Sequence, residues 1–426
     1  MKKSARSKGV RQVANVAQRW LPLMGVMVTL RRGLRELAIE SGMHALEALL
    51  EQERTDACGM RYKHDSARQA FRSGHAKGEL VFGGRRVSVS RPRARTVGND
   101  EVVLPSWKQF ADEDPLTHRV VEQMMLGVAT RKYKRSLEPL PFQVQERGTS
   151  KSAASRHFVA ATTRNLDEWL RRDLSKLRIA ALMIDGITVG EHLVLVALGI
   201  DEDGYKHVLG LREGATENAT ACKALLGDLV DRGLPQERSL LAVIDGAKAL
   251  TCAVRSYFGD YALIQRCQFH KKKNVVDHLP DHMHSSVRAV IAQAYKLRNA
   301  GTATQTLENL ARSIAKDYPS AAGSVREGLA ETLTVVTLGL PALLARTFST
   351  TNPLENVNGS IRQTCRNVKR WRDGSMILRW TSAALREAEQ RFHRIPGYKA
   401  MPFLLNALRE NDAHLQRVID DKKKTA

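Results

Sequence analysis

At 426 residues the chain is longer than one ordinary hydrophobic core supports, and 43% hydrophobic with 26% charged residues is the composition of a globular protein of several domains. No apolar run approaches the ~20 residues of a membrane-spanning helix, and five scattered cysteines exclude a disulfide-built scaffold, so a reduced, cytoplasmic protein is expected. The net charge of +22 implies a polyanionic partner, nucleic acid being the usual one, without naming a reaction.

The N-terminus superficially mimics a signal peptide, with Lys2 and Lys3 ahead of an apolar stretch from Leu21 to Leu30. Arg31 and Arg32 follow directly and no small-residue cleavage site is visible. Residues 1–60 read as helical, with Leu34, Leu37, Leu46, Leu49 and Leu50 at three- and four-residue spacings and a break at Ser41-Gly42. In 61–105 the period changes to two. Glu79–Phe82 and Arg85–Ser90 read as strands around a Gly83-Gly84 hairpin, leading into Arg91 and Arg93. The first 100 residues carry 20 Lys and Arg against 9 Asp and Glu, half of the whole net charge. Arg85, Arg86, Arg91 and Arg93 are therefore expected to contact phosphates, the alternative being a solvated basic face.

Residues 106–176 return to a helical pattern. After Gly148, Thr149 or Ser150 can cap a short helix that exposes Lys151, Ser152, Ser155 and Arg156. This is the grammar of a helix-turn-helix, whose second helix sends its first residues to base edges; a plain helical hairpin is the other reading.

From 177 to 275 strands and helices alternate. The unbroken apolar run Ala180–Ile184 ends on Asp185-Gly186, and Leu240–Ile244 ends on Asp245-Gly246, each the pattern of a buried strand carrying an aspartate to the sheet's end. Three meandering strands, then helix, strand, helix and strand, define a mixed α/β sheet of the ribonuclease H type. Residues 276–346 read as a helical insertion, 347–390 return to the same domain, and 391–426 form a helical tail.

The third carboxylate is Glu355. With Asn352 as N-cap and Pro353 opening the helix, Glu355 fits the glutamate of a capping box. It also heads a stripe of Asn358, Arg362, Arg366 and Lys369, offset from the apolar stripe Leu354, Val357, Ile361, Cys365 and Val368. A cap needs no basic track behind it; a metal site whose substrate backbone runs along the helix does. Two aspartates and a glutamate in so basic a chain suggest Mg²⁺-assisted phosphoryl transfer, since a few carboxylates can hold two such ions around a phosphate.

Taken in order, Met183–Ile187, Val243–Gly246, Cys267 and His270 with Asn274, and Thr351–Asn358 resemble the Mutator-like DDE transposases of bacterial insertion sequences. The spacings of 60 residues from Asp185 to Asp245 and 110 from Asp245 to Glu355 suit a long insertion before the glutamate. Gly83–Val87, Arg91–Arg93 and Arg379-Trp380 extend the resemblance over most of the chain. It implies a ribonuclease H-like domain with Asp185, Asp245 and Glu355 as catalytic ligands of Mg²⁺, for which Mn²⁺ can substitute. It further implies cleavage and strand transfer at terminal inverted repeats by a homo-oligomer on double-stranded DNA, in the bacterial nucleoid and with no membrane. Cys267 and His270 match a family motif of the active-site or DNA-binding architecture, with His270, Lys271 and Asn274 directed at DNA. As a bare pattern the pair is half a zinc site, but no second paired spacing follows, so zinc is not expected. A nuclease or resolvase of the same fold is the nearest rival; a DNA-binding regulator would leave the three carboxylates unexplained.

Overall fold

The computed structural model describes residues 34, 36–63, 68–111, 114–140, 144–216 and 218–425. The chain divides into two compact units, Met1–Ala161 and Thr162–Ala426.

In the first unit, among the described residues, a helix over 36–58 accompanies an antiparallel sheet of β1 (Ala70–Phe82), β2 (Arg85–Thr96) and β3 (Glu146–Arg147), in that order. The hairpin falls where the glycine pair requires it. Gly83 and Gly84 lie at φ +56° and +77°, and the strands pair up to Phe82 opposite Arg85. Val87 and Val89 point inward, packing with Leu80, Leu46 and Leu50, while Ser88 and Ser90 face outward. The helix runs through Ser41-Gly42 without the expected break. Gly42 serves close approach instead, because a Cβ there would lie 2.7 Å from the Phe82 ring.

Two further expectations for this unit are corrected. The segment before the helix Lys151–Leu170 is strand β3, paired to β2, so the order is strand-turn-helix and not helix-turn-helix; Gly148, at φ +82°, makes the turn. Arg85 is 3% exposed, ion-paired to Glu146 (3.0 Å) and donating to the Glu138 carbonyl, so its charge is spent inside the unit and not on a phosphate. Without Arg85, Glu146 would keep its pairing with Lys134 (2.6 Å), but the Glu138 carbonyl would lose its buried donor. We expect Arg85→Ala to cost about 1–3 kcal/mol of stability in urea unfolding.

The second unit is built on a sheet in the order β6-β5-β4-β7-β8, with β4 (Ile179–Val189), β5 (His192–Asp201), β6 (Lys206–Glu213), β7 (Leu240–Ile244) and β8 (Ala262–Arg266). β4, β5 and β6 are antiparallel neighbours, whereas β7 runs parallel to β4 and β8 parallel to β7. Both faces are covered, which is why the runs into Asp185 and Asp245 show no polar alternation. On one face Met183, Ile187, Val196 and Leu198 pack with Leu354, Val357 and Ile361 of the helix Asn352–Cys365 and with Ile377 and Leu385 of Gly374–Glu389. On the other, Leu182, Ile184 and Leu195 meet Leu225, Leu229, Leu250 and Val254 from the helices Ala219–Asp231 and Lys248–Phe258.

Residues between β8 and the helix Asn352–Cys365 are helical, as expected, with a small core of their own around Val287, Ile291, Leu307 and Ala311. Trp371 and Trp380 pack edge-on against each other at the rim of the main core, their ring centroids 6.4 Å apart. Cys222 and Cys365 are buried at apolar helix positions, but Cys252 is exposed. No helix among the described residues is long and apolar enough to cross a membrane.

Candidate functional site

Strands β4, β7 and β8 are parallel, so their C-terminal ends share one edge of the sheet, and the candidate residues of the second unit collect there. Pairing of β4 with β7 stops at Ile184 opposite Ile244, and the next residue of each is the aspartate. β7 ends there, but β4 continues beyond Asp185 to Val189, still paired to β5. Asp185 therefore lies within a strand and not at its end; what ends beside it is its parallel neighbour. β8 ends at Arg266, and the helix Gln268–Val276 follows with Cys267 as N-cap and His270 in its first turn. Two backbone bonds lock this corner: Cys267 N–H donates to Ile244 O (2.7 Å) and Gln268 N–H to Ser349 O (2.8 Å).

Glu355 enters from the helix Asn352–Cys365. Thr351, not Asn352, is the N-cap, and its side chain does not cap. This shift by one residue moves Glu355 past the capping-box position. Its carboxylate Oε1 instead lies 3.5 Å from the Thr351 hydroxyl, which is also 3.6 Å from Cys267 Sγ, so the one hydroxyl proton has two alternative acceptors. The aspartates are each held through one oxygen as well. Gly186 N–H donates to Asp185 Oδ1 and Ala247 N–H to Asp245 Oδ1, both at 2.9 Å.

The electrostatics tie these groups together. Burial chiefly, and then the charges of Asp245 and Glu355, push the Asp185 carboxyl up to about 6, against the opposing pull of His270 and of the Gly186 N–H. His270 is raised to about 9, first by Cys267 and then by Asp185 and Asp245, while burial opposes. Burial alone would lift the Cys267 thiol, but His270 and Thr351 bring it below its ordinary value. At neutral pH the edge thus pairs an acidic cluster with an imidazolium. Among the described residues no three His, Cys, Asp or Glu side chains gather closely enough to ligate one ion. The donor set still suits a hard divalent cation: a carboxyl whose proton affinity is raised by burial and by neighbouring carboxylates, as at Asp185, is relieved by such an ion, which needs few protein ligands.

The other predicted contacts divide. Arg362, Arg366 and Lys369 are exposed, yet the helix ends at Cys365, so the last two lie beyond it and not on a continuous helical track. Asn358 is 3% exposed with its carboxamide oxygen lacking a hydrogen-bond partner among the described residues, which corrects its assignment to a DNA-facing stripe. Lys271 is also corrected. It is buried, donates to the Glu327 carbonyl, and is lowered to about 8, first by burial and then by the neighbouring Arg266 charge. Asn274 is exposed and His270 half-buried. His284, a histidine that follows the Cys267–His270 pair in the chain, donates from Nε2 to Leu279 O (2.8 Å).

In the first unit Lys151, Ser152 and Arg156 are exposed and Ser155 half-buried, on a helix capped by Ser150 Oγ accepting from Ala153 N–H (3.2 Å). Arg91 and Arg93 share Glu101, and Arg86 lies 3.8 Å from Glu79. Sequence reasoning missed Thr351 as a link between Cys267 and Glu355, although it stands in the quoted motif. It also missed Arg266 and the exposed ring of Phe269, which no spacing marks.

Fold and site together define a basic α/β protein with carboxylates and an imidazolium at the C-terminal edge of parallel strands. Residues 29–394 match the family described as Transposase, Mutator family. Over 371 residues the chain is 27% identical to the transposase for insertion sequence element ISRM5 of Rhizobium meliloti, covering 84% of this chain and 88% of that protein. It is 25% identical over 360 residues to that for IS1081 of Mycobacterium tuberculosis, covering 80% and 82%. It is 32% identical over 197 residues to that for IS6120 of Mycolicibacterium smegmatis, where the match spans 45% of this chain and only 59% of the relative. The chain belongs to the Mutator family of transposases.

The raised Asp185 carboxyl has a sign that can be tested. A carboxyl with a higher proton affinity in the folded state contributes stability that is complete below its ordinary value of 3.8 and is lost as pH rises through about 6. In metal-free protein, the urea midpoint should fall across that window, and Asp185→Asn should flatten the fall.

Proposed function

We propose that the protein binds the terminal inverted repeats of an insertion sequence and cleaves and joins DNA strands by metal-dependent phosphoryl transfer, acting as a homo-oligomer. In this reading the second unit is a ribonuclease H-type catalytic domain, which its three antiparallel strands continued by two parallel ones support. The observation that carries the proposal is the placement of Asp185 and Asp245 side by side where β4–β7 pairing stops, close enough to Glu355 for the charges of both other carboxylates to be felt at Asp185.

Asp185, Asp245 and Glu355 would hold Mg²⁺, or Mn²⁺ in its place. When bound, the metal would activate the attacking water or 3′-hydroxyl and neutralise charge on the leaving oxygen. The chain's own contribution is orientation. Gly186 N–H and Ala247 N–H each fix one aspartate oxygen and so set where the other points, and the Thr351 hydroxyl lies 3.5 Å from Glu355 Oε1. His270 keeps its proton beside Asp185 and offers the scissile phosphate a positive charge. Arg362, Arg366 and Lys369, and in the first unit Lys151 and Arg156, are the exposed cations for the DNA backbone.

The test uses purified protein and a duplex bearing the inverted repeats that flank the gene. Nicking at the repeat end and joining of the freed 3′-hydroxyl should both require Mg²⁺ or Mn²⁺. Asp245→Asn should lower both by roughly 10³-fold or more, and full activity of that variant would overturn the assignment. Cleavage without joining would make the protein a nuclease. Arg362→Ala should weaken DNA binding and reduce its salt slope by about 1, while leaving the metal concentration needed for cleavage unchanged.

A further inference from the structure

Arg266, the last residue of β8, is 7% exposed, yet the carboxylate nearest its guanidinium is Glu327 at 3.7 Å, itself half exposed. A buried guanidinium is costly unless its N–H groups are used; here main-chain carbonyls engage both terminal nitrogens, while Nε is without a partner among the described residues. One nitrogen donates to Gly246 O (2.7 Å) and another to Glu327 O (3.0 Å). Both turns are shaped around it. Gly246 and Gly328 have φ of +92° and +60°, and a Cβ on either would come within 2.1 Å of the guanidinium.

The peptide unit between Gly246 and Ala247 is planar, so its C=O and N–H cannot turn independently. Its C=O is held by Arg266, and its N–H is the group that donates to Asp245 Oδ1. Fixing one end of this plate fixes the other. The second arm of Arg266 ends on the helical insertion, which is itself docked on β8 and the following helix. Gln265 and Gln268 donate to Thr332 O at 2.8 and 3.1 Å, and Gln265 Oε1 accepts from Val335 N–H at 2.9 Å.

We propose that Arg266 is a positioning residue that clamps the Gly246–Ala247 peptide and thereby aims the Asp245 carboxylate, with the helical insertion as the anchor of the clamp. This rests on the reading of Asp245 as a metal-holding carboxylate. Lysine cannot replace the arginine, because a single ammonium does not present two forked N–H groups to carbonyls on different elements.

Two variants of the full chain test it from opposite ends: Arg266→Lys, which keeps the charge and removes the fork, and Gly328→Ala, which displaces the guanidinium from the insertion side. Hydrogen exchange is measured without metal or DNA, and single-turnover cleavage of the inverted-repeat duplex is measured against Mg²⁺ concentration. The proposal expects the Ala247 amide to lose protection while Leu241–Val243 keep theirs. It also expects the half-saturating Mg²⁺ concentration to rise about 10-fold or more, with DNA affinity unchanged. Unchanged Ala247 protection and Mg²⁺ dependence in both variants would overturn the clamp, as would protection lost evenly along β7, which would reveal only a core residue. Asp245→Asn separates the two readings. If it still cleaves, the site assignment fails; if it is dead while Arg266→Lys behaves as wild type, the clamp alone fails.

Discussion

Like charges that must sit close together in partly buried surroundings are the constraint around which the second unit is arranged. Asp185 and Asp245 are brought side by side by parallel pairing that cannot place them elsewhere, since each follows the last paired residue of its strand. Burial is the larger part of the cost, the neighbouring Asp245 and Glu355 charges add to it, and together they push the Asp185 carboxyl up to about 6. The structure offsets that cost with N–H groups, with an imidazolium drawn into its charged form, and with a hydroxyl bridging sulfur and carboxylate. Folding to this arrangement stores a demand for positive charge at one sheet edge.

Much of this was legible in the sequence because its signals were local. An unbroken apolar run ending in Asp-Gly is a property of one strand buried on both faces, and a glycine pair between alternating strands is a property of one turn. The succession of strands and helices along residues 177–275 followed from the same patterns. What was not legible depended on contacts between distant segments. Gly42 reads as a helix breaker until the Phe82 ring is seen against it. Asn352 and Thr351 are equally plausible N-caps by residue type, and only backbone geometry separates them. The helix after Gly148 has a well-formed cap, but the element before it is set by a two-residue strand pairing that no periodicity announces.

Charge was the least readable feature of all. A count of arginines and lysines assigns each to solvent, whereas Arg85, Arg266 and Lys271 are buried and directed at main-chain carbonyls or a carboxylate. These residues sit beside partly exposed cations in the sequence, Arg85 next to Arg86 and Lys271 next to Lys272, so proximity in the chain gives no guide. The fraction of the +22 available to a polyanion is therefore smaller than the formal value.

The docking of the helical insertion has an evolutionary implication. Gln265, Gln268 and the second arm of Arg266 all engage peptide groups of residues 327–335, and Thr334 Oγ1 reaches the carbonyl of Ile264. Bonds to peptide groups are indifferent to which side chains those residues carry. The junction consequently constrains the path of the chain at Gly328 far more than its composition. Such a seam lets the segment beyond it drift, lengthen or be exchanged among related chains while the sheet edge it meets stays in register.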